Sequence, residues 1–241
     1  MKHLWIFLLP ITTISVSTIL YLLFYKWKKK ELSRFKNQKK YPKQSTLRKE
    51  LKWVFTTILA HSGVGAVMDW ANGNQSYLLI QDFTGNPVIQ FIISLILMIL
   101  LHDSFFYWSH RLMHVGWLYR RVHKYHHQFH NPTPITTLAA HPVECILQLV
   151  HIPLILLLFP ISQTALVIFI GLIVISSAFG HLGHELRPYS VFQKPIGKHL
   201  FTTTHHNQHH QDGRSNFGFY FDFWDRIMKT QSPKYYDKFI G

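Results

Sequence analysis

The chain has 241 residues, with 25 Lys and Arg against 11 Asp and Glu, 18 histidines and a single cysteine. One cysteine, Cys145, excludes an intramolecular disulfide and any Cys-rich zinc or iron–sulfur site. The net charge of +14 raises the question of nucleic acid, but nearly half of the basic residues crowd into one stretch beside an apolar run. That is the pattern of a topology determinant and anionic-lipid contact, so no nucleic-acid partner is expected.

In chain order, residues 4–25 form an uncharged run of 22 residues, about 33 Å as a helix and enough for a bilayer core of roughly 30 Å. The run is too long for a signal-peptide core, and Lys26-Trp-Lys-Lys-Lys after it reads as stop-transfer. An anchor is therefore expected at 1–25, followed by a basic linker at 26–50. Segment 51–70 is apolar on average but interrupted by His61, Gly63 and Gly65, and reads as a fifth membrane helix beside four clearer ones. The clearer ones are the anchor, 88–108, 145–159 and 163–179, the last two separated by Pro160. The expected fold class is all-α: a polytopic membrane protein with about four to five membrane helices and a cytoplasmic helical cap.

Orientation follows from charge. Segment 26–52 carries twelve Lys and Arg residues and 71–87 carries none, which places the first in the cytoplasm and the second outside it. The Asn74-Gln-Ser triplet fits a glycosylation acceptor on that outer side. Threading onward, 109–144 and 181–241 both return to the cytoplasm.

Those two cytoplasmic stretches hold the histidine groups: His110 and His114; His123, His126 and His127; His181 and His184; His206, His209 and His210. Helical residues three or four apart share a face, and imidazole is a common ligand of transition metals. In an H-x-x-H-H triplet the adjacent pair diverges by about 100° around the helix axis, so neighbouring rings reach two different ions. Ten imidazoles exceed the needs of one metal, and a dinuclear site is expected. An all-imidazole set suits zinc, copper, iron or nickel alike. Asp103, Glu144, Glu185 and Asp225 are candidates for orienting the outer ring nitrogens. His130, His141 and His205 are assigned to the outer shell, and His3, His61, His102, His151 and His199 read as ordinary core histidines. Segment 217–227, aromatic and short, reads as amphipathic and lying on the bilayer surface.

The boxes His110-Arg-Leu-Met-His114, His123-Lys-Tyr-His-His127 and His206-Asn-Gln-His-His210 resemble those of the fatty acid hydroxylase / sterol desaturase superfamily. So do Asp103-Ser-Phe-Phe-Tyr-Trp, Asn216-Phe-Gly and Phe223-Trp-Asp-Arg226, and the resemblance runs from about 95 to 230. It implies a di-iron domain at 51–241 behind the 1–50 anchor and linker. The implied activity is an O2-dependent oxygenase that hydroxylates or desaturates a C–H bond of a sterol or fatty-acyl lipid. The box histidines become iron ligands by the same resemblance, with zinc able to replace iron in recombinant material. His181 falls where the family places a histidine after its last helical hairpin, while His184 stands where relatives often carry another residue.

The chain carries no redox group of its own, so a separate electron donor is expected: a cytochrome b5-like protein, a ferredoxin or an NAD(P)H reductase. The expected location is a bacterial inner membrane or the endoplasmic reticulum. The competing reading is a His-rich membrane metal-binding or transport protein. Transporters, however, place ionisable ligands within the spans, and these clusters lie beyond the helix ends. A zinc hydrolase would need a motif such as H-E-x-x-H, which does not occur.

Overall fold

The computed structural model describes residues 5–73 and 85–236. The Asn74-Gln-Ser triplet, His3 and most of the 71–87 loop lie outside the described residues. The chain is mostly helical, and the described residues add only two isolated antiparallel bridges, Lys36 with His184 and Leu200 with Phe221.

The apolar runs became helices. They are α1 (Trp5–Tyr21), α2 (Gln44–Gly73), α3 (Pro87–Met113), α5 (Pro142–Leu149), α6 (His151–Leu158) and α7 (Gln163–Gly180), with the four-residue α4 (Lys124–His127) between α3 and α5. Two more, α8 (Thr203–Asp212) and α9 (Phe223–Ile227), follow near the C-terminus. Local chemistry sets several starts. Asn86 accepts from the N–H groups of Val88 and Ile89 with Pro87 at the first position, and Ser162 and Thr202 cap α7 and α8. Gly213, at φ 62, ends α8 in the left-handed conformation that favours glycine.

By length and composition α3 and α7 are able to cross a membrane, and α5 with α6 makes a shorter apolar unit. α3 packs on α7, α1 on α2 and α7, and α2 on α5. Met98, Leu149, Ile152, Leu156, Ile161 and Phe169 form the buried core among α3, α5, α6 and α7. Much apolar surface stays exposed: Val88 at 63%, Ile96 at 53%, Leu158 at 68% and Val167 at 63%. Exposure on that scale along several helices marks a surface meant for an apolar environment.

The basic segment is tied back to the bundle. The Asn37 N–H donates to the Gly183 carbonyl (2.9 Å) and the Glu185 N–H to that of Phe35 (2.7 Å). Glu50, fully buried, accepts from the hydroxyls of Thr133 and Thr136 in the loop after α4. The loop that follows the second histidine box is thus pinned to the start of α2.

Candidate metal centre

α3 leaves the apolar layer with His110 inside its last turn and His114 as its C-cap. After Gly116–Leu118 the chain winds through a π-helical turn, Tyr119–His123, directly into α4. The second box is therefore not the plain α-helix that the sequence suggested. α7 ends at His181, and α8 carries His206, His209 and His210.

These elements bring nine of the ten histidines into two groups. His110, His114, His123, His127 and His209 present ring nitrogens within 4.8 Å of one another, and so do His126, His181, His206 and His210. The adjacent pairs part company: His126 joins one group and His127 the other, as do His210 and His209. The groups are neighbours, with the rings of His127 and His210 stacked at 4.9 Å.

His184 is not part of either group. Its ring packs against Phe24, Tyr25 and Tyr41, and its Nδ1 lies 3.0 Å from the Leu182 carbonyl. Gly183, at φ 69, turns the chain between His181 and His184, so the two do not share a helical face.

Hydrogen bonds fix the ring tautomers. A carbonyl oxygen only accepts, so an Nδ1 that bonds one carries the proton, and the neutral ring's Nε2 is a bare lone pair. His126 donates to Ala139 (3.2 Å), His181 to Ser177 (2.8 Å), His209 to Ser215 (2.7 Å) and His110 to Phe217 (3.0 Å). Yet His126 and His181 face each other Nε2 to Nε2 at 3.1 Å, His181 and His206 at 2.9 Å, and His127 and His209 at 3.0 Å. For His126 and His181 no proton is left to bridge that gap.

Burial before all else, joined by neighbouring rings for all but His126, keeps these imidazoles neutral. His126 is held down to about 4, His181 to about 3 and His114 to about 2, and His127, His206, His209 and His210 lie well below the ordinary histidine value. Neutral lone pairs converging at about 3 Å within one group are what a single cation bound by several imidazoles requires. The donor set fits two transition-metal ions.

The four acids take different places. Glu144, fully buried, stands 3.0 Å from Nδ1 of His123 through Oε2. Asp225 lies 3.2 Å from His205 and accepts from the N–H groups of Phe217 (2.9 Å) and Gly218 (2.8 Å) and from Thr230 Oγ1 (2.7 Å). Asp103 accepts from the N–H groups of Tyr220 and Phe221, and Glu185 from Thr204 and Arg187. Glu144 thus stands against a grouped histidine, and the other three brace backbone.

Burial raises the Asp225 carboxyl, but His205, Thr230 and the Phe217 N–H outweigh it and hold the group at about 2. A depressed acid stabilises the fold above its ordinary range and loses that contribution as pH falls toward 2. Asp225→Ala strands three donors, and we expect it to lower stability by about 3 kcal/mol, measured by thermal unfolding in detergent. An unchanged unfolding temperature would contradict this bracing role.

Segment 217–227 departs from the expected surface helix. Phe217 and Phe219 are 5% and 6% exposed, packed toward the histidines, while Phe223 and Ile227 face outward at 55% each. Of the outer-shell assignments, His130 donates to the His210 carbonyl (3.1 Å), whereas His141 caps α5 and stacks on Tyr125. Thr137, whose hydroxyl lies 3.1 Å from His181 Nδ1, was not singled out from the sequence. A threonine in a five-residue 3-10 turn, Pro134–Leu138, carries no periodic signal.

A small cavity of about 30 Å3 opens beside His110, His123, His126, His181 and His206. Phe201, Phe219 and Ser176 separate it from a larger, mainly apolar groove of about 550 Å3.

Residues 95–230 match the family model described as fatty acid hydroxylase. The chain is 33% identical over 150 residues to C-4 methylsterol oxidase of Schizosaccharomyces pombe, covering 60% of this chain and 49% of the relative. It is 34% identical over 150 residues to lathosterol oxidase of Rattus norvegicus, covering 61% and 48%. Similarity at 29% over 180 residues extends to a very-long-chain aldehyde decarbonylase of Oryza sativa, covering 73% and 67%. The chain thus spans about half the length of the two sterol-oxidising relatives. No solved structure matches it.

Proposed function

This chain belongs to the fatty acid hydroxylase family, and on that premise we propose that it is a membrane oxidoreductase acting on a C–H bond of a sterol or fatty-acyl lipid. Oxidation, by hydroxylation or desaturation, uses O2 and two iron ions. The observation that carries this reading is the pair of adjacent histidine groups whose neutral nitrogens face one another next to an apolar groove. His110, His114, His123, His127 and His209 hold one ion, and His126, His181, His206 and His210 the other. When bound, the iron pair supplies the redox chemistry that activates O2 toward an unactivated C–H bond.

The chain's own residues do the rest. Backbone carbonyls of Ala139, Ser177, Ser215 and Phe217 keep the proton on Nδ1 and aim each lone pair inward. The Glu144 carboxyl, 3.0 Å from Nδ1 of His123, stands where it limits the turning of that ring. Phe201 and Phe219 shield the centre from water and present an apolar wall to a lipid. Four to five helices cross the membrane in this reading, the exposed apolar faces of α3 and α7 meeting lipid. Residues 1–50 serve as anchor and basic strap to a catalytic unit at 51–241, and the histidine centre lies on the cytoplasmic side. Electrons come from a separate carrier.

The test compares lipid extracts from cells making the intact chain and a His126→Ala/His127→Ala version. We expect a hydroxylated or newly unsaturated lipid that depends on oxygen and on the intact histidines. Identical extracts, with metal still bound, would favour metal storage or transport instead.

A further inference from the structure

Three histidines outside the metal groups share a second chamber. His61 on α2, His102 on α3 and His151 at the start of α6 line a cavity of about 60 Å3 whose remaining wall mixes apolar side chains such as Leu149, Ile173 and Val174 with the polar Thr13, Thr137, Gln148 and Ser177. His102 and His151 are each 2% exposed, and their rings stack at 4.4 Å. Nδ1 of His102 meets the hydroxyl of Tyr220 at 3.1 Å. Neither nitrogen of His151 closes a hydrogen bond among the described residues, nor does Nδ1 of His61. Buried polar atoms without partners are costly, and a fold that keeps several around one chamber has left room for a polar guest. The volume suits a hydroxyl-bearing fragment or a few waters.

The chamber adjoins the metal centre. It shares Phe106, Thr137, Gln148, Ser177 and Phe219 with the small cavity at the histidine groups, and Phe219 also borders the apolar groove. Groove, centre and polar chamber thus meet along one aromatic side chain.

We propose that the His61–His102–His151 chamber receives the hydroxyl group of a lipid whose apolar body lies past the metal centre toward the groove. An alcohol both donates and accepts, so it satisfies a bare imidazole nitrogen and a ring N–H, whichever tautomer each ring takes. A carboxylate only accepts, and no Lys or Arg lines the chamber to offset the cost of burying its charge. Under the proposed lipid oxidation, on which this consequence rests, the hydroxyl fixes which carbon lies beside the histidine groups.

The test reads binding rather than turnover. The full chain in nanodiscs is offered two matched pairs: a 3-hydroxysterol with its 3-deoxy counterpart, and a long-chain alcohol with the corresponding alkane. The hydroxylated member of at least one pair binds about tenfold more tightly, the worth of about one well-made buried hydrogen bond. His151→Leu and His61→Leu each erase that preference while leaving the affinity of the deoxygenated probe unchanged. His151→Leu also removes unpartnered polar atoms, so its unfolding temperature does not fall, and His61→Leu provides an independent variant. Equal binding within both pairs overturns the proposal, as does a preference that survives both substitutions. A chain that discriminates between the probes but oxidises no lipid overturns the proposed activity and leaves the chamber's role standing.

Discussion

His127→Ala is expected to release one of two bound metal ions and to abolish lipid oxidation, and His126→Ala is expected to do the same with the other ion. The two residues are adjacent in sequence, yet their rings enter different groups. Each substitution leaves four lone pairs in the first case and three in the second, still buried and facing one another. Loss of a partner behind a ligand costs roughly 10–100-fold in metal affinity or activity, and loss of a ligand itself exceeds that range. The measurement is metal content per chain by elemental analysis after loading with ferrous iron, paired with product formation. Two ions retained in both single variants would refute the division into two groups.

Glu144→Ala is the second case, with an expected fall of about 10–100-fold in metal affinity or turnover. The carboxylate is fully buried and faces Nδ1 of His123 on one side and the amide of Gln148 on the other. Alanine leaves the His123 ring free to turn and to move its proton to the nitrogen that should face metal. Glu144→Gln keeps an acceptor oxygen of the same length and restores much of the loss. If glutamine performs no better than alanine, the charge matters rather than the orientation of the ring. If neither differs from the parent, Glu144 does not position His123.

Much of this arrangement was legible in the sequence, for reasons that differ from element to element. Long apolar runs of this length favour helices, and those at 88–108 and 163–179 lie within α3 and α7. Histidine spacing worked where the residues lie on continuous helix, as in α8, where His206 and His210 stand four apart with Nε2 atoms 3.2 Å from each other. At His181 and His184 the i, i+3 premise does not hold, because Gly183 breaks the helix and only His181 joins a group. Long-range pairings were invisible. Nothing near Phe217 announces that Asp225 will hold its N–H, so an aromatic stretch looked like a surface segment although two of its rings are buried. His61, His102 and His151 sit singly in apolar runs, and no local spacing relates residues 41 and 49 positions apart.

The division of ligands also dictates when the centre comes into being as the chain is made. His110, His114, His123, His126 and His127 emerge first, His181 follows after the α5–α7 hairpin, and α8 comes last. Both groups draw on α8, one through His209 and the other through His206 and His210. On the proposed two-ion reading, neither ion would have its full ligand set until more than four-fifths of the 241 residues had been synthesised. Metal loading would then be a late step of biogenesis, and a chain cut short before Thr203 would carry neither complete group.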